Sequence, residues 1–214
     1  MAFVGMSAAF FGSAGTLAWF QAWLYIVIQF SFWTVTAVWM KKHNPQLLKD
    51  RMAFLKPSAK GWDKMIIVTS TAVFIPYLLL PGLDAVRHRW SSVPLVISVL
   101  GFVGVLAALL LMVWVIRVNT YLSRFVEVQK ERAHKVITSG PYQYVRHPMY
   151  AGLIILLYSI PVALGSLWTL IPASVLTVLF VIRTYLEDQT LHEELAGYTS
   201  YSTKVKYRLL PGVW

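Results

Sequence analysis

Tyr142, Tyr144, Arg146 and His147 fall within six residues, and the histidine immediately precedes Pro148. Proline lacks an N–H and steers the residue before it away from helical backbone angles, yet it suits the first turn of a helix. The stretch Thr138-Ser139-Gly140-Pro141-Tyr142 ahead of these residues reads as a turn. Tyr144, Arg146 and His147 are therefore expected at the mouth of a helix that begins at Pro148. Free backbone donors at such a start favour an anionic group, and an arginine fork suits a carboxylate or phosphate. A second set follows: Arg183, Glu187, Glu194 and Tyr198 are spaced by 4, 7 and 4, so that one helix face presents all four. Leu186, Leu191 and Leu195 give that helix an apolar side, and Gly197 is placed to break it. Carboxylates there suit a cationic ligand group or ribose hydroxyls. Each set also has a plainer reading. Arg146 and the tyrosines serve equally as a topological anchor and an interfacial belt, and Arg183 and Glu187 as an i, i+4 pair on a solvated helix.

The elements that must position these residues are apolar. Of the 214 residues 57% are hydrophobic and only 13% charged, against about 25% charged in a soluble domain. Charge-free runs at 1–40, 65–83, 90–116 and 149–182 hold 120 positions. A span needs roughly 20 apolar residues, so the expected fold is all-α: a polytopic transmembrane helix bundle of about five spans. The first is expected over Leu17–Met40, the second over Met65–Leu83, with Pro76 and Pro81 bending it or marking its end, and the third over Pro94–Ile116. Gly101 and Gly104 in the third are small residues where another helix can approach. Residues 149–182 are too long for one helix and read as a tight helical hairpin turning near 161–167. Residues 1–15 are expected as an interfacial segment, with an extra span as the alternative. They lack the basic stretch of a signal peptide and are taken as retained.

The net charge of +10 follows topology. Residues 41–64 hold seven Lys/Arg, 117–147 six and 183–214 four, whereas 84–93 holds only Arg87 and Arg89. Bases concentrate on the cytoplasmic side, which predicts a multi-pass protein of an inner or endoplasmic-reticulum-type membrane, amino terminus outside and carboxyl terminus cytoplasmic. With that cause the charge is no argument for nucleic acid as a partner. The absence of cysteine removes disulfides, thiolate metal sites and a cysteine nucleophile. The five histidines are scattered and no H-E-x-x-H occurs, so no metal site is expected. No G-x-G-x-x-G marks a soluble nucleotide-binding fold.

The run Gly140-Pro141-Tyr142-Gln143-Tyr144-Val145-Arg146-His147-Pro148-Met149-Tyr150-Ala151-Gly152, with Glu193-Glu194 beyond it, resembles the Arg-His-Pro-x-Tyr…Glu-Glu signature of membrane methyltransferases. The chain is most similar to the isoprenylcysteine carboxyl methyltransferase family and its prokaryotic relatives. Phospholipid N-methyltransferases share a looser form of the signature and sterol reductases a more distant one. The resemblance covers roughly residues 117–214, while 1–100 match only as hydrophobic spans. It implies a scaffold of about three spans over 1–116 and a cofactor-binding region over 117–214. It also implies S-adenosyl-L-methionine as cofactor, bound between the cytoplasmic ends of the last two spans and the C-terminal helix. Cofactor contacts carried over by the resemblance are Gln129, His134, Lys135, Val136, Ile137, Tyr142, His147, Pro148, Met149, Tyr150 and Glu187. Arg183 is carried over as a substrate contact, and Glu193 and Glu194 match the terminal acid pair with one extra residue before Gly197.

The residues are chemically consistent with that implication. A sulfonium is a good leaving group, so methyl transfer needs in-line placement more than acid–base catalysis, and alignment supplies on the order of 7–11 kcal/mol. Tyrosine faces stabilise cationic charge by about 1–2 kcal/mol each. Arg146 and Arg183 are then expected as the catalytic pair, orienting an anionic, lipophilic or lipidated acceptor that arrives from the bilayer. Other readings stay open: a phospholipid N-methyltransferase, an NADPH-dependent reductase of the sterol type, or a membrane binding protein that keeps the motif as structure.

Overall fold

The structure is a computed structural model that describes residues 2–52 and 60–214. Lys56, one of the seven bases counted in 41–64, lies outside the described residues. Helices form in the order α1 (Ala2–Ala14), α2 (Phe20–His43), α3 (Pro45–Met52), α4 (Gly61–Pro81), α5 (Leu95–Val118), α6 (Pro148–Leu164), α7 (Leu170–Glu194) and α8 (Tyr198–Lys204), and no strand occurs among the described residues. The fold is all-α and polytopic. By length and composition α2, α4 with its continuation to His88, α5 and α7 can each cross a membrane. Helix α6, at 17 residues, rises about 26 Å and is the short member. The outward faces of these helices stay apolar, with Val27, Phe30, Val96 and Leu110 all exposed, as lipid-facing surfaces require.

Helices α5 and α6 run antiparallel in close contact. A side chain at Gly101 would strike the Ala163 backbone, its Cβ 2.8 Å from the Ala163 Cα. The small residues foreseen as a helix approach therefore receive α6 of the same chain. Turn residues 165–169 follow, near the expected turn at 161–167, and α7 returns against α6 and α4.

Pro81 is the last residue of α4, as the sequence allowed, while Pro76 lies within the helix; from Pro81 the chain passes into a π-helical turn, Gly82–His88. The helical path stops at Arg89, in left-handed conformation at φ 54°. Residues 2–14, expected as an interfacial segment or an extra span, form a helix whose Met6, Phe10, Phe11 and Ala14 are buried. At 13 residues it rises about 20 Å, too little to cross a hydrocarbon core of about 30 Å.

The bundle thus has two unlike ends. One gathers α1, the π-helical turn and the α6–α7 turn. There buried Asp84 accepts hydrogen bonds on Oδ2 from Ser91 Oγ (2.8 Å), Ser166 Oγ (2.6 Å) and the Trp168 N–H (3.2 Å). The other end gathers α3, the connector 119–147, α8 and the tail, together with most of the basic residues. Tail and motif are laced directly: the Arg146 and His147 N–H groups donate to the Tyr207 and Arg208 carbonyls, each at 2.9 Å.

Candidate functional site

The basic end encloses a cavity of about 460 Å³. The connector supplies one wall, from Asn119 to Glu127 and again at His134, Val136 and Ile137; a second comes from Tyr142 and the start of α6; a third from α7 and α8. Met112, Leu153 and Phe180 line its deep side, between α5, α6 and α7. The cavity is thus charged toward the loops and apolar toward the bundle.

Side chains on α7 are sorted by helical geometry. Arg183, Glu187 and Leu191 lie one turn apart and reach the cavity. Glu187 Oε2 accepts a hydrogen bond of 2.6 Å from the Tyr150 hydroxyl, and its Oε1 stands 3.8 Å from His147 Nδ1. Arg183 Nε lies 2.8 Å from Oδ1 of fully buried Asp63, its Nη2 donates to the Arg124 carbonyl at 2.7 Å, and its guanidinium sits 5.7 Å from the Tyr150 ring centre. Asp63 Oδ2 in turn accepts from the Val126 N–H at 2.9 Å. This chain of contacts fixes connector, α4 and α7 together.

Asp188, rotated about 100° from Glu187 by the helix, turns away from the cavity. It is a buried hub. Arg146 binds it through two parallel hydrogen bonds, Nε to Oδ1 at 2.8 Å and Nη2 to Oδ2 at 2.9 Å. Tyr198 OH (2.7 Å) and Arg208 Nε (2.9 Å) also donate to it, and His147 Nε2 lies 3.2 Å away. Arg146 Nη1 donates to the carbonyls of Val205 and Lys206 at 2.9 and 2.8 Å. The fork expected to receive an acceptor anion is therefore committed within the chain, and the donors just ahead of α6 are taken by the tail.

Ten of the thirteen residues singled out in the sequence reach the cavity: His134, Val136, Ile137, Tyr142, Arg146, His147, Met149, Tyr150, Arg183 and Glu187. Three stand off it. Gln129 lies behind the wall, donating through Nε2 to the Tyr121 carbonyl at 3.1 Å and through its N–H to His134 Nδ1 at 3.3 Å. Lys135 lines a separate outer groove beside Lys204, and Pro148 is buried as the first residue of α6. Glu194 also falls outside; it pairs with Lys60 at 2.6 Å on the surface. Eleven residues beyond Arg183 it keeps the same azimuth but lies about 16 Å further along the axis, past the cavity.

Burial raises the Tyr142 phenol above its ordinary range, and Asn119 Nδ2 donates to its oxygen at 2.7 Å. Burial, then the Asp188 charge, raises Tyr198. His134 is pushed down to about 4 by burial and then by the Arg132 charge. Its ring stacks on Tyr121 at 4.2 Å. Sequence reasoning passed over Asp63, Asp188, Arg51, Tyr198 as a hub donor, and the Phe180 floor. A lone acid at the start of a span, Asp63, was a legible signal; the partner of Asp188, 42 residues away, was not.

An apolar helical bundle with a charged cavity at one end is the architecture of a polytopic membrane protein. A family model described as phospholipid methyltransferase matches residues 96–196 of the chain. That stretch includes α5, the connector, α6 and α7. The chain is also similar to protein-S-isoprenylcysteine O-methyltransferase B of Arabidopsis thaliana, 26% identical over 137 residues. That match covers 64% of this chain and spans 63% of the relative's length.

Proposed function

We propose that the protein is an integral membrane methyltransferase that uses S-adenosyl-L-methionine to methylate a lipophilic acceptor at the membrane–cytosol boundary. The observation that carries the reading is the division of one cavity into a charged side holding Glu187 and Arg183 and an apolar side open to the bundle. Its volume falls in the ordinary range for ligand sites, about 300–1,000 Å³. In this reading the basic end faces the cytosol and the acceptor's hydrocarbon occupies the Met112, Leu153 and Phe180 floor.

The donor set fits such a cofactor. Glu187, held by Tyr150, is an acceptor for ribose hydroxyls or an ammonium group. Val136, Ile137, Leu191 and Leu195 offer apolar contact to a flat base, and the rings of Tyr142 and Tyr150 favour a neighbouring cation. When bound, S-adenosyl-L-methionine supplies an electrophilic methyl group whose transfer leaves a neutral thioether. The chain's own task is then placement. Arg183, braced by Asp63, orients an anionic acceptor from the membrane side. Tyr150 fixes Glu187, and Asp188 fixes the Arg146-His147 segment from behind. Excluding water from the floor strengthens each charged contact.

The lead reading for the acceptor is a lipid-anchored carboxylate, supported by Arg183 and by the isoprenylcysteine relative. The second is an amine headgroup, favoured by the family model, which describes phospholipid methyltransferases. Membranes incubated with methyl-labelled S-adenosyl-L-methionine and extracted should yield a base-labile methyl ester under the first reading and a base-stable methylamine under the second. No labelled product above membranes lacking the protein overturns both. Stabilisation by NADPH, without stabilisation by S-adenosylhomocysteine, would point to a reductase instead.

A further inference from the structure

Arg51 is a further cation of this cavity. It stands in the last turn of α3, a helix with both flanks pinned. Leu47 is fully buried against Met40 and Ile116. Buried Asp50 accepts from Gln46 Nε2 at 3.1 Å and from Arg132 Nη1 at 3.3 Å. Arg51, one turn beyond Leu47 and next to Asp50, is half-buried and lines the cavity. Its electrostatic neighbour there is the buried Tyr142 hydroxyl, and burial pulls the guanidinium below its ordinary value.

The other cavity arginines already have partners within the chain. Arg146 is bound by Asp188, Arg183 by Asp63 and the Arg124 carbonyl, and Arg124 has a contact of its own. Among the described residues Arg51 takes neither a hydrogen bond nor an ion pair. A guanidinium withdrawn from water is costly without an oxyanion opposite it, and its planar fork matches a carboxylate or phosphate. Resting on the methyltransferase reading, we propose that Arg51 binds a ligand oxyanion inside the cavity, contributed either by the amino-acid carboxylate of the methyl donor or by the anionic head of the acceptor. This gives α3, outside the region matched by the family model, a direct place in the site.

The test compares ligands with and without the anion, on the full chain in detergent, by calorimetry. One pair is S-adenosylhomocysteine and methylthioadenosine, which lacks the carboxylate together with the ammonium and carbons that bear it, so the readout is the change that the Arg51 variant makes within each pair. The other is N-acetyl-farnesylcysteine and its methyl ester. Arg51→Met should weaken one carboxylate-bearing ligand by about tenfold or more and leave its anion-free partner unchanged, with Arg51→Lys recovering part of the loss. Loss confined to the first pair assigns the oxyanion to the donor, and loss confined to the second assigns it to the acceptor. Equal affinities for all four ligands in wild type and Arg51→Met overturn the proposal, even if the melting temperature falls, because that marks a purely structural arginine. Wild-type protein that binds none of the four overturns the methyltransferase reading and this role with it.

Discussion

Asp84 and Asp188 sit at opposite ends of the same bundle, and both are buried acids that collect donors from distant parts of the chain. Asp84 gathers neutral donors, two serine hydroxyls and one backbone N–H, and so fastens the α6–α7 turn to the end of α4. Asp188 gathers the charged forks of Arg146 and Arg208 and the Tyr198 hydroxyl. The residue before it on α7, Glu187, faces a cavity, whereas Ala85, beside Asp84, packs against the hydrophobic core. A buried acid alone is thus a fastening. A buried acid that braces a wall whose next residue is open to a cavity belongs to a site.

The largest effect should come from Asp188→Ala. Removing it leaves two guanidinium groups in a poorly hydrated interior, at about 3–5 kcal/mol, and frees the tail from the motif. Thermal unfolding in detergent should show a large loss of stability together with loss of S-adenosylhomocysteine binding. A stable variant that still binds would remove Asp188 from the bracing role. Asp84→Ala is expected to cost less, about 1–3 kcal/mol for unpaired neutral donors, with ligand affinity intact because the cavity lies at the other end. Affinity that fell in step with stability would erase the distinction between the ends.

Glu187→Gln should reverse that pattern, with little change in melting temperature but affinity for S-adenosylhomocysteine weakened about tenfold or more, as expected for a lost charge-assisted hydrogen bond. The smallest effect is the pH response of His134. Its folded value of about 4 lies below the ordinary 6.5, so the unfolded chain binds the extra proton in between. The stabilisation is whole above pH 6.5 and lost as the pH falls toward 4. His134→Phe, which keeps a ring on Tyr121 without the proton, should flatten the melting-temperature profile across that window. Superimposable profiles would contradict the assignment.

Much of the frame was legible from charge placement alone. Uncharged runs located α2, α4, α5 and the α6–α7 hairpin because a bilayer tolerates few charges along such segments. Pro81 marked the end of α4, but the π-helical continuation to His88 was not legible from it. Around the cavity, local signals served best: Gly140–Gly152 and the Arg183–Glu187 spacing picked out side chains that line it. What one sequence could not yield were the pairings across 42 or more positions, Arg146 with Asp188 and Arg183 with Asp63. Those pairings decide which arginines are committed to partners within the chain. Arg51 was hidden for another reason, counted among the bases that set topology.

The central claim is that the Glu187 side of the cavity binds the methyl donor. Calorimetry of S-adenosylhomocysteine against the purified wild-type chain and against Glu187→Ala tests it most directly. The account predicts saturable one-to-one binding by the wild type, weakened at least tenfold in the variant at unchanged melting temperature. No binding by the wild type at millimolar ligand, or equal affinity in the two proteins, would contradict it.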